Sequence, residues 1–535
     1  MPIHTRIIRN SYRDSLALMR ISESLAGLAG VRRATLLMGT PANKALLADA
    51  RLMRSELEPA LPGDLMLVLE AESEPALAGA ATRAAELLAA GPAAAGGEVG
   101  TEEPPRSIAM ALSQSGHANF AQISVPGPYA GAEAMKALRS GLNVFLFSDN
   151  VPLAHEVAIK ALSQRKGLLV MGPDCGTAIV NGVPLGFANV VRRGAIGLLG
   201  ASGTGLQQVS CAVHALGEGI SHAIGTGGRD GSDEVGGVTL FQGLELLAAD
   251  ADTRVIAIVS KPLGAQVAAE LLRRAARAGK PVVVLFLGSR AVAAGANTHV
   301  VANLDDAARA AVSLAQGAAP RAPLRHRDAP RSVAAETARL MPSQRYLRGL
   351  YAGGTFCTEA QFIWRELGLR VRSNVPLIPG DTLPEARHGI GHSAMDLGSD
   401  EYTVGRAHPM IDAGARCERI VEEARDPAVA ALVLDVVLGY AGHRDPAGAL
   451  APAIRSARAH AAKEGRYLPV VGFVCGTEGD PQRLSAQEAT LRAEGVLLAP
   501  CSTEAARWAG AIAQAAASGM NHAADRSAGA RNEVR

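Results

Sequence analysis

Gly197-Leu198-Leu199-Gly200-Ala201-Ser202-Gly203-Thr204-Gly205 leads directly into a helical-looking stretch at 206–216. That order reads as a strand, a glycine-rich turn and a helix. A helix start presents N–H groups without intrahelical acceptors and the positive end of the dipole, so it favours an anion. Glycine lets the backbone approach that anion closely. A second unit of the same design lies far along the chain: Leu432-Val433-Leu434-Asp435-Val436-Val437-Leu438-Gly439-Tyr440-Ala441-Gly442-His443-Arg444-Asp445, followed by a helical stretch at 447–459. Two such turns aimed at one point would hold a phosphate or carboxylate with little side-chain charge.

Around the first turn, residues 191–316 alternate strands and helices. Apolar runs at 195–199, 222–224, 255–259 and 282–287 lead into the glycine turn, Gly225-Thr226-Gly227-Gly228-Arg229-Asp230, Ser260-Lys261-Pro262 and Gly288-Ser289-Arg290. Residues 106–190 show the same pattern, with strands ending at Pro126-Gly127-Pro128-Tyr129, Ser148-Asp149-Asn150 and Gly172-Pro173-Asp174-Cys175-Gly176-Thr177. Apolar strands separated by helices imply doubly wound parallel sheets, whose ligands sit beyond the carboxyl ends of the strands. The expected fold class is α/β: a Rossmann-like domain at 106–190, a flavodoxin-like domain at 191–316 and a third α/β unit at 344–515, with a helix at 358–367. Residues 1–90 read as a small ferredoxin-like α+β domain, and 91–105 and 318–343 as linkers.

The chain has 535 residues, 48% hydrophobic, 19% charged and 3% aromatic. That is enough for about three or four domains with tight, Ala- and Gly-rich helix–sheet contacts. A net charge of +2 excludes a strong electrostatic case for nucleic acid. No apolar run approaches the length of a membrane span, and Met1-Pro2-Ile3-His4-Thr5-Arg6 has no apolar core like a signal peptide. The cysteines are scattered without a CxxC pair, which suits reduced thiols in a cytoplasmic protein. No His/Cys/Asp cluster has metal-ligand spacing.

Gly172-Pro173-Asp174-Cys175, Ile196–Thr204 as quoted and Gly225–Asp230 together are similar to the succinyl-CoA synthetase α subunit, and 432–442 resembles the C-terminal domain of its β subunit. A longer resemblance covers nearly the whole chain. Met38-Gly39-Thr40-Pro41-Ala42-Asn43-Lys44, Phe147-Ser148-Asp149-Asn150-Val151, Val404-Gly405-Arg406 and His408-Pro409-Met410-Ile411-Asp412 resemble the FdrA family of acyl-CoA synthetase-like proteins. The resemblance implies a Rossmann-like CoA-binding-type domain, two succinyl-CoA-synthetase-type flavodoxin-like domains, and a phosphate bracketed by two helix starts. It also implies a role in ureide breakdown: an oxamate carbamoyltransferase that interconverts oxalurate plus phosphate with oxamate plus carbamoyl phosphate. Partner subunits of the same complex and a homo-oligomer are expected; the alternatives are an NDP-forming acyl-CoA synthetase working with a separate ATP-grasp subunit, and a non-catalytic metabolite-binding scaffold.

An acyl-CoA ligase would need an ATP-grasp domain, for which the chain has no room, and a phosphohistidine. The residue nearest that position, His299, lacks flanking glycines and reads as a strand start. Lys261 stands where the ligases have a Glu, and would attract an anion. Ser202, Gly203 and Thr204 are candidates to hold phosphate through backbone N–H groups and hydroxyls, with a plain helix cap as the alternative. Gly439, Ala441 and Gly442 are assigned the opposing side. His443 and Arg444 add positive charge at a helix start, which points to an anion, although a solvated surface pair fits as well. With His408 they are the candidate catalytic residues. Asp174, Cys175, Gly176, Gly228 and Arg229 are expected to line the substrate pocket. Cys175 reads as a packed thiol more readily than as a nucleophile, since no histidine adjoins it. Arg406 suits a bidentate carboxylate. His392 and Asp396 form a lesser candidate acid/base pair. Ser113-Gln114-Ser115-Gly116-His117 is a poor match to a CoA-binding glycine loop, so weak or absent CoA binding is expected; phosphate or carbamoyl phosphate is the expected ligand.

Overall fold

The computed structural model describes residues 2–532 apart from 12, 14, 51, 90–104, 289–294, 296, 321–330, 385–388 and 404–406. It contains four sheets. The first is antiparallel and small, with β1 (Ile3–Ile8), β2 (Val31–Met38) and β3 (Leu65–Ala71) in the order β1-β3-β2. Its helices are α1 (Ser15–Ala26), α2 (Pro41–Asp49) and α3 (Glu74–Ala89). Strand alternation explains why β3 is apolar from Leu65 to Leu69. Leu65, Leu67 and Leu69 pack in one core with α1 and α3, whereas Met66 and Val68 pack in another with Leu47 and Leu57.

The second unit is α4 (Ile108–Ser115), β4 (Phe120–Ile123), α5 (Gly127–Arg139), β5 (Asn143–Leu146), α6 (Leu153–Lys166) and β6 (Val170–Met171), with the strands parallel in the order β4-β5-β6.

The third sheet has seven strands. They belong to β7 (Thr177–Val180), β8 (Val183–Gly186), β9 (Arg193–Gly200), α7 (Gly203–Ala215), β10 (Ile220–Gly225), α8 (Val238–Ala249), β11 (Val255–Ser260), α9 (Ala265–Ala275), β12 (Val282–Phe286), β13 (Thr298–Val300) and α10 (Leu304–Ala315). Their order is β13-β12-β11-β9-β10-β7-β8. The β7–β8 hairpin, read in the sequence with the 106–190 unit, pairs antiparallel with β10 and so joins this sheet.

Helix α11 (Arg331–Thr337) lies in the stretch expected to be a linker. The fourth sheet is wholly parallel, in the order β15-β16-β14-β17-β18-β19. Its elements are β14 (Tyr346–Tyr351), α12 (Gly354–Glu366), β15 (Val371–Ser373), β16 (His392–Asp396), α13 (Asp400–Thr403), α14 (Gly414–Glu423), β17 (Val429–Val437), α15 (Pro446–Lys463), β18 (Val470–Cys475), α16 (Leu484–Ala493), β19 (Leu497–Leu498) and α17 (Ser502–Asn532).

The two large sheets share one core. Leu198, Leu206 and Val209 of the third unit pack in the same cluster as Phe356, Ala360 and Trp364 of the fourth. Helices α7 and α12 are therefore buried between the sheets, and both start at the same end of the molecule. Among the described residues no helix is long and apolar enough to cross a membrane.

Candidate functional site

The carboxyl ends of strands from the second, third and fourth units open into one cleft of about 740 Å³. The N-terminal domain walls its far side with Leu18, Leu36, Met38, Thr40 and Asn43.

Two helix starts meet inside it. Ser202 precedes α7 and Thr355 opens α12, and their hydroxyl oxygens lie 2.7 Å apart. Glycine makes that approach feasible. A Cβ on Gly353 would stand 2.8 Å from Thr204 Oγ1, and one on Gly205 would stand 3.0 Å from Thr355 Cγ2. Neither Ser202 nor Gly353 caps its helix with a side chain. The first N–H groups with an acceptor are Leu206, to Ser202 O at 2.8 Å, and Phe356, to Gly353 O at 3.0 Å. Among the described residues the N–H groups of Gly203, Thr204, Gly205, Gly354 and Thr355 have no acceptor. Two positive dipole ends thus face one space, and four of these free donors, on Gly203, Thr204, Gly354 and Thr355, belong to residues that line it.

The loop before α12 is fixed from behind. Asp435 on β17 accepts the N–H groups of Ala352 and Gly353, each at 2.9 Å, and is itself paired with Arg416. Lys261, at the end of β11, and Asp396, at the end of β16, stand beside the helix start. A Cβ on Gly354 would collide with Asp396 Oδ2 and lie 3.0 Å from Lys261 Nζ.

Ser202, Gly203, Thr204, Asp174, Cys175, Gly176, Gly228 and His408 all line this cleft. Asp174 holds left-handed backbone at φ +56°, and a Cβ on Gly228 would lie 3.1 Å from its Oδ2. Burial pushes the Cys175 thiol up to about 12, and its Sγ donates to Thr177 O at 3.6 Å, so it is a packed thiol. Burial, helped by the Arg416 charge, pushes His408 down to about 4. Its Nδ1 accepts the Met410 N–H at 3.2 Å, so Nε2 carries the proton of a neutral ring.

The turn at 439–445 does not line the cleft. In this turn the N–H groups of Gly439, Tyr440 and His443 are taken up by protein acceptors, and Ala441, Gly442 and Arg444 likewise lie outside the lining of the cleft. The Gly439 N–H donates to Gln482 Oε1 (3.1 Å), Tyr440 N–H to Ala188 O (3.0 Å) and His443 N–H to Met410 O (2.8 Å). Asp445 caps α15 by accepting the Gly448 N–H, and Gln487 takes that of Ala447. The second helix start in the cleft is therefore that of α12, not the one that follows this turn.

Two other expectations change. Arg229 turns away from the cleft to Glu156 (2.9 Å) and Val151 O (2.6 Å). His392 and Asp396 occupy opposite ends of β16, about 13 Å apart at strand rise, so they are not a pair. The 113–117 stretch ends helix α4, where Ser113 and Ser115 donate to carbonyls of their own helix, so it does not open a helix towards a ligand. Arg406 lies outside the described residues. His299 sits on β13, as its sequence suggests, and does not line the cleft.

This architecture and cleft define an acyl-CoA synthetase-like protein. The CoA-ligase family model matches residues 350–512 and the CoA binding domain model matches 191–288, while the model for the AllF heavy metal-associated domain matches 1–105. The chain is 42% identical over 505 residues to YahF of Escherichia coli strain K12, covering 94% of this chain and 97% of that protein. It belongs to the FdrA family. It is also 29% identical over 177 residues to the ADP-forming succinate–CoA ligase subunit alpha 2 of Archaeoglobus fulgidus, and 26% identical over 186 residues to the ADP-forming sulfoacetate-CoA ligase subunit SauD of Bilophila wadsworthia. Those matches cover 32% and 33% of this chain and 59% and 62% of the two subunits. Residues 1–105 hold His4 as their sole histidine and the first cysteine of the chain is Cys175, so the N-terminal domain has no thiolate to offer a heavy metal.

Proposed function

We propose that the chain is the FdrA-type subunit of an oxamate carbamoyltransferase, acting with partner subunits on oxalurate and phosphate to give oxamate and carbamoyl phosphate. The observation that carries this reading is the junction of α7 and α12 at Ser202 and Thr355, with its unaccepted N–H groups beside Lys261. Such a site suits a phosphate dianion and the charge that develops when it reacts.

In that reaction a hydrogenphosphate oxygen attacks the carbamoyl carbon of oxalurate. The bond from that carbon to the oxamate nitrogen breaks, and the proton lost by hydrogenphosphate passes to the leaving nitrogen. The protein holds both reactants in line, and fixed dipoles face the transient oxyanion. A neutral His408 adds a donor at Nε2. The chemistry proceeds without CoA. The test is phosphate-dependent cleavage of oxalurate by the full subunit set. Carbamoyl phosphate formed only when phosphate is present supports the reading, and no turnover with every subunit present rejects it.

The CoA-ligase and CoA binding matches favour a second reading, an acyl-CoA ligase fed by a separate ATP-grasp subunit. Among the described residues of the cleft the histidine is His408, whose Nδ1 is already engaged. Labelled phosphate retained on a histidine after incubation with nucleotide and partner would favour this alternative.

A further inference from the structure

Aromatic rings are scarce in this chain, with 9 Phe among 535 residues, yet three rings stand in line along the cleft. Phe147 follows β5, Phe187 follows β8 and His408 precedes α14. The ring centroids are 5.3 Å apart from Phe147 to Phe187 and 5.7 Å from Phe187 to His408. Phe145, fully buried, has its ring centroid 6.2 Å from that of Phe147. Phe187 is held firmly: its N–H donates to Gly176 O at 2.8 Å, and Gln207 of α7 donates to its carbonyl. The helix that opens at Ser202 therefore also fixes this ring. His408, being neutral, extends the row without adding charge. Beside the rings, Asn150 and Asp174 line the cleft in left-handed backbone, at φ +52° and +56°. Strain of that kind at non-glycine positions collects at ligand sites.

We propose that Phe147 and Phe187 seat a flat, conjugated carboxamide whose anionic partner is held at the α7 and α12 starts. This rests on the carbamoyl-transfer reading and specifies how its substrate is recognised. A planar acylurea offers a π-face to the rings and N–H groups to the Asp174 carboxylate, which a saturated chain of equal length offers only in part. Ring contact of this kind is worth about two- to tenfold in affinity.

The full-length chain is titrated by calorimetry with inorganic phosphate, with oxalurate, and with hydantoate, in which a methylene replaces the carbonyl next to the carboxylate and breaks the plane. Wild-type protein is expected to favour oxalurate over hydantoate by about tenfold. Phe187→Leu, and Phe147→Leu as a second site, reduce that preference to within about threefold and leave phosphate affinity within about twofold. Oxalurate bound with no preference over hydantoate, or a preference unchanged in both variants, overturns the proposal alone. Phosphate bound but no oxalurate overturns the carbamoyl-transfer reading and the proposal with it.

Discussion

Ser202 Oγ and Thr355 Oγ1 lie 2.7 Å apart although 153 positions separate them in the chain. Each residue sits at the start of a buried helix, so one hydroxyl contact fixes how two dipole ends converge. Replacing Ser202 or Thr355 by Ala should weaken phosphate binding, and the double variant should lose less than the sum of the two. A coupling of about 1 kcal/mol is expected for a shared buried hydrogen bond, read from a calorimetric double-mutant cycle.

Gly354→Ala places a methyl group against Asp396 Oδ2 and Lys261 Nζ at the mouth of α12. Affinity for phosphate should fall about tenfold or more, a loss of roughly 1.4 kcal/mol. The unfolding midpoint should fall as well, because the buried Asp396 carboxylate must shift to admit the methyl group.

The 439–445 turn behaves differently. Asp445→Ala removes the cap of α15 and should cost about 1 kcal/mol in urea unfolding. Arg444→Ala should leave stability and phosphate affinity alike unchanged. A clear loss of phosphate affinity in Arg444→Ala would return this turn to the anion site.

How much of this was legible in the sequence depended on where the signal lay. The α/β alternation, the α7 start and the cleft-lining loops after β6, β9 and β10 announced themselves through apolar runs ended by Gly, Pro and Asp. The α12 start did not. Strand β14 carries Arg348 in its middle, buried and paired with Glu423 and Asp426 at 2.6 Å each, and this charge masks an apolar run. With the strand hidden, Gly353-Gly354-Thr355 had no visible role, although it echoes Ser202-Gly203-Thr204. The 439–445 turn misled for the opposite reason. Its glycines resemble an anion loop, but Gln482, about 40 residues on, accepts the Gly439 N–H and donates to the Gly439 and His443 carbonyls, and no local pattern reveals that. The aromatic row joins residues from three loops and exists only in the fold.

Lys160 and Asp230 form a buried pair at 2.8 Å, and Lys160 also donates to Thr226 O beneath the cleft. Lys160→Met leaves a buried carboxylate without its cation, so unfolding free energy should drop by about 3–5 kcal/mol in urea titration.

His408 and His392 are each pushed down to about 4, chiefly by burial. Unfolded histidines titrate near 6.5, so between pH 6.5 and 4 the unfolded chain binds more protons than the native one. Their contribution to stability is present above that window and is lost as pH falls through it. The urea midpoint should fall from pH 7 to pH 5, and by less in His408→Gln than in wild type. Equal losses in the two proteins would show that His408 titrates normally when folded.

A crystal structure of the full chain grown with phosphate addresses the central claim most directly. The ion should lie within hydrogen-bond distance of N–H groups from both Gly203-Thr204 and Gly354-Thr355, with the Lys261 ammonium beside it. Phosphate bound at only one of these helix starts, or at Gly439–Gly442, would contradict the convergence of α7 and α12 on a single anion.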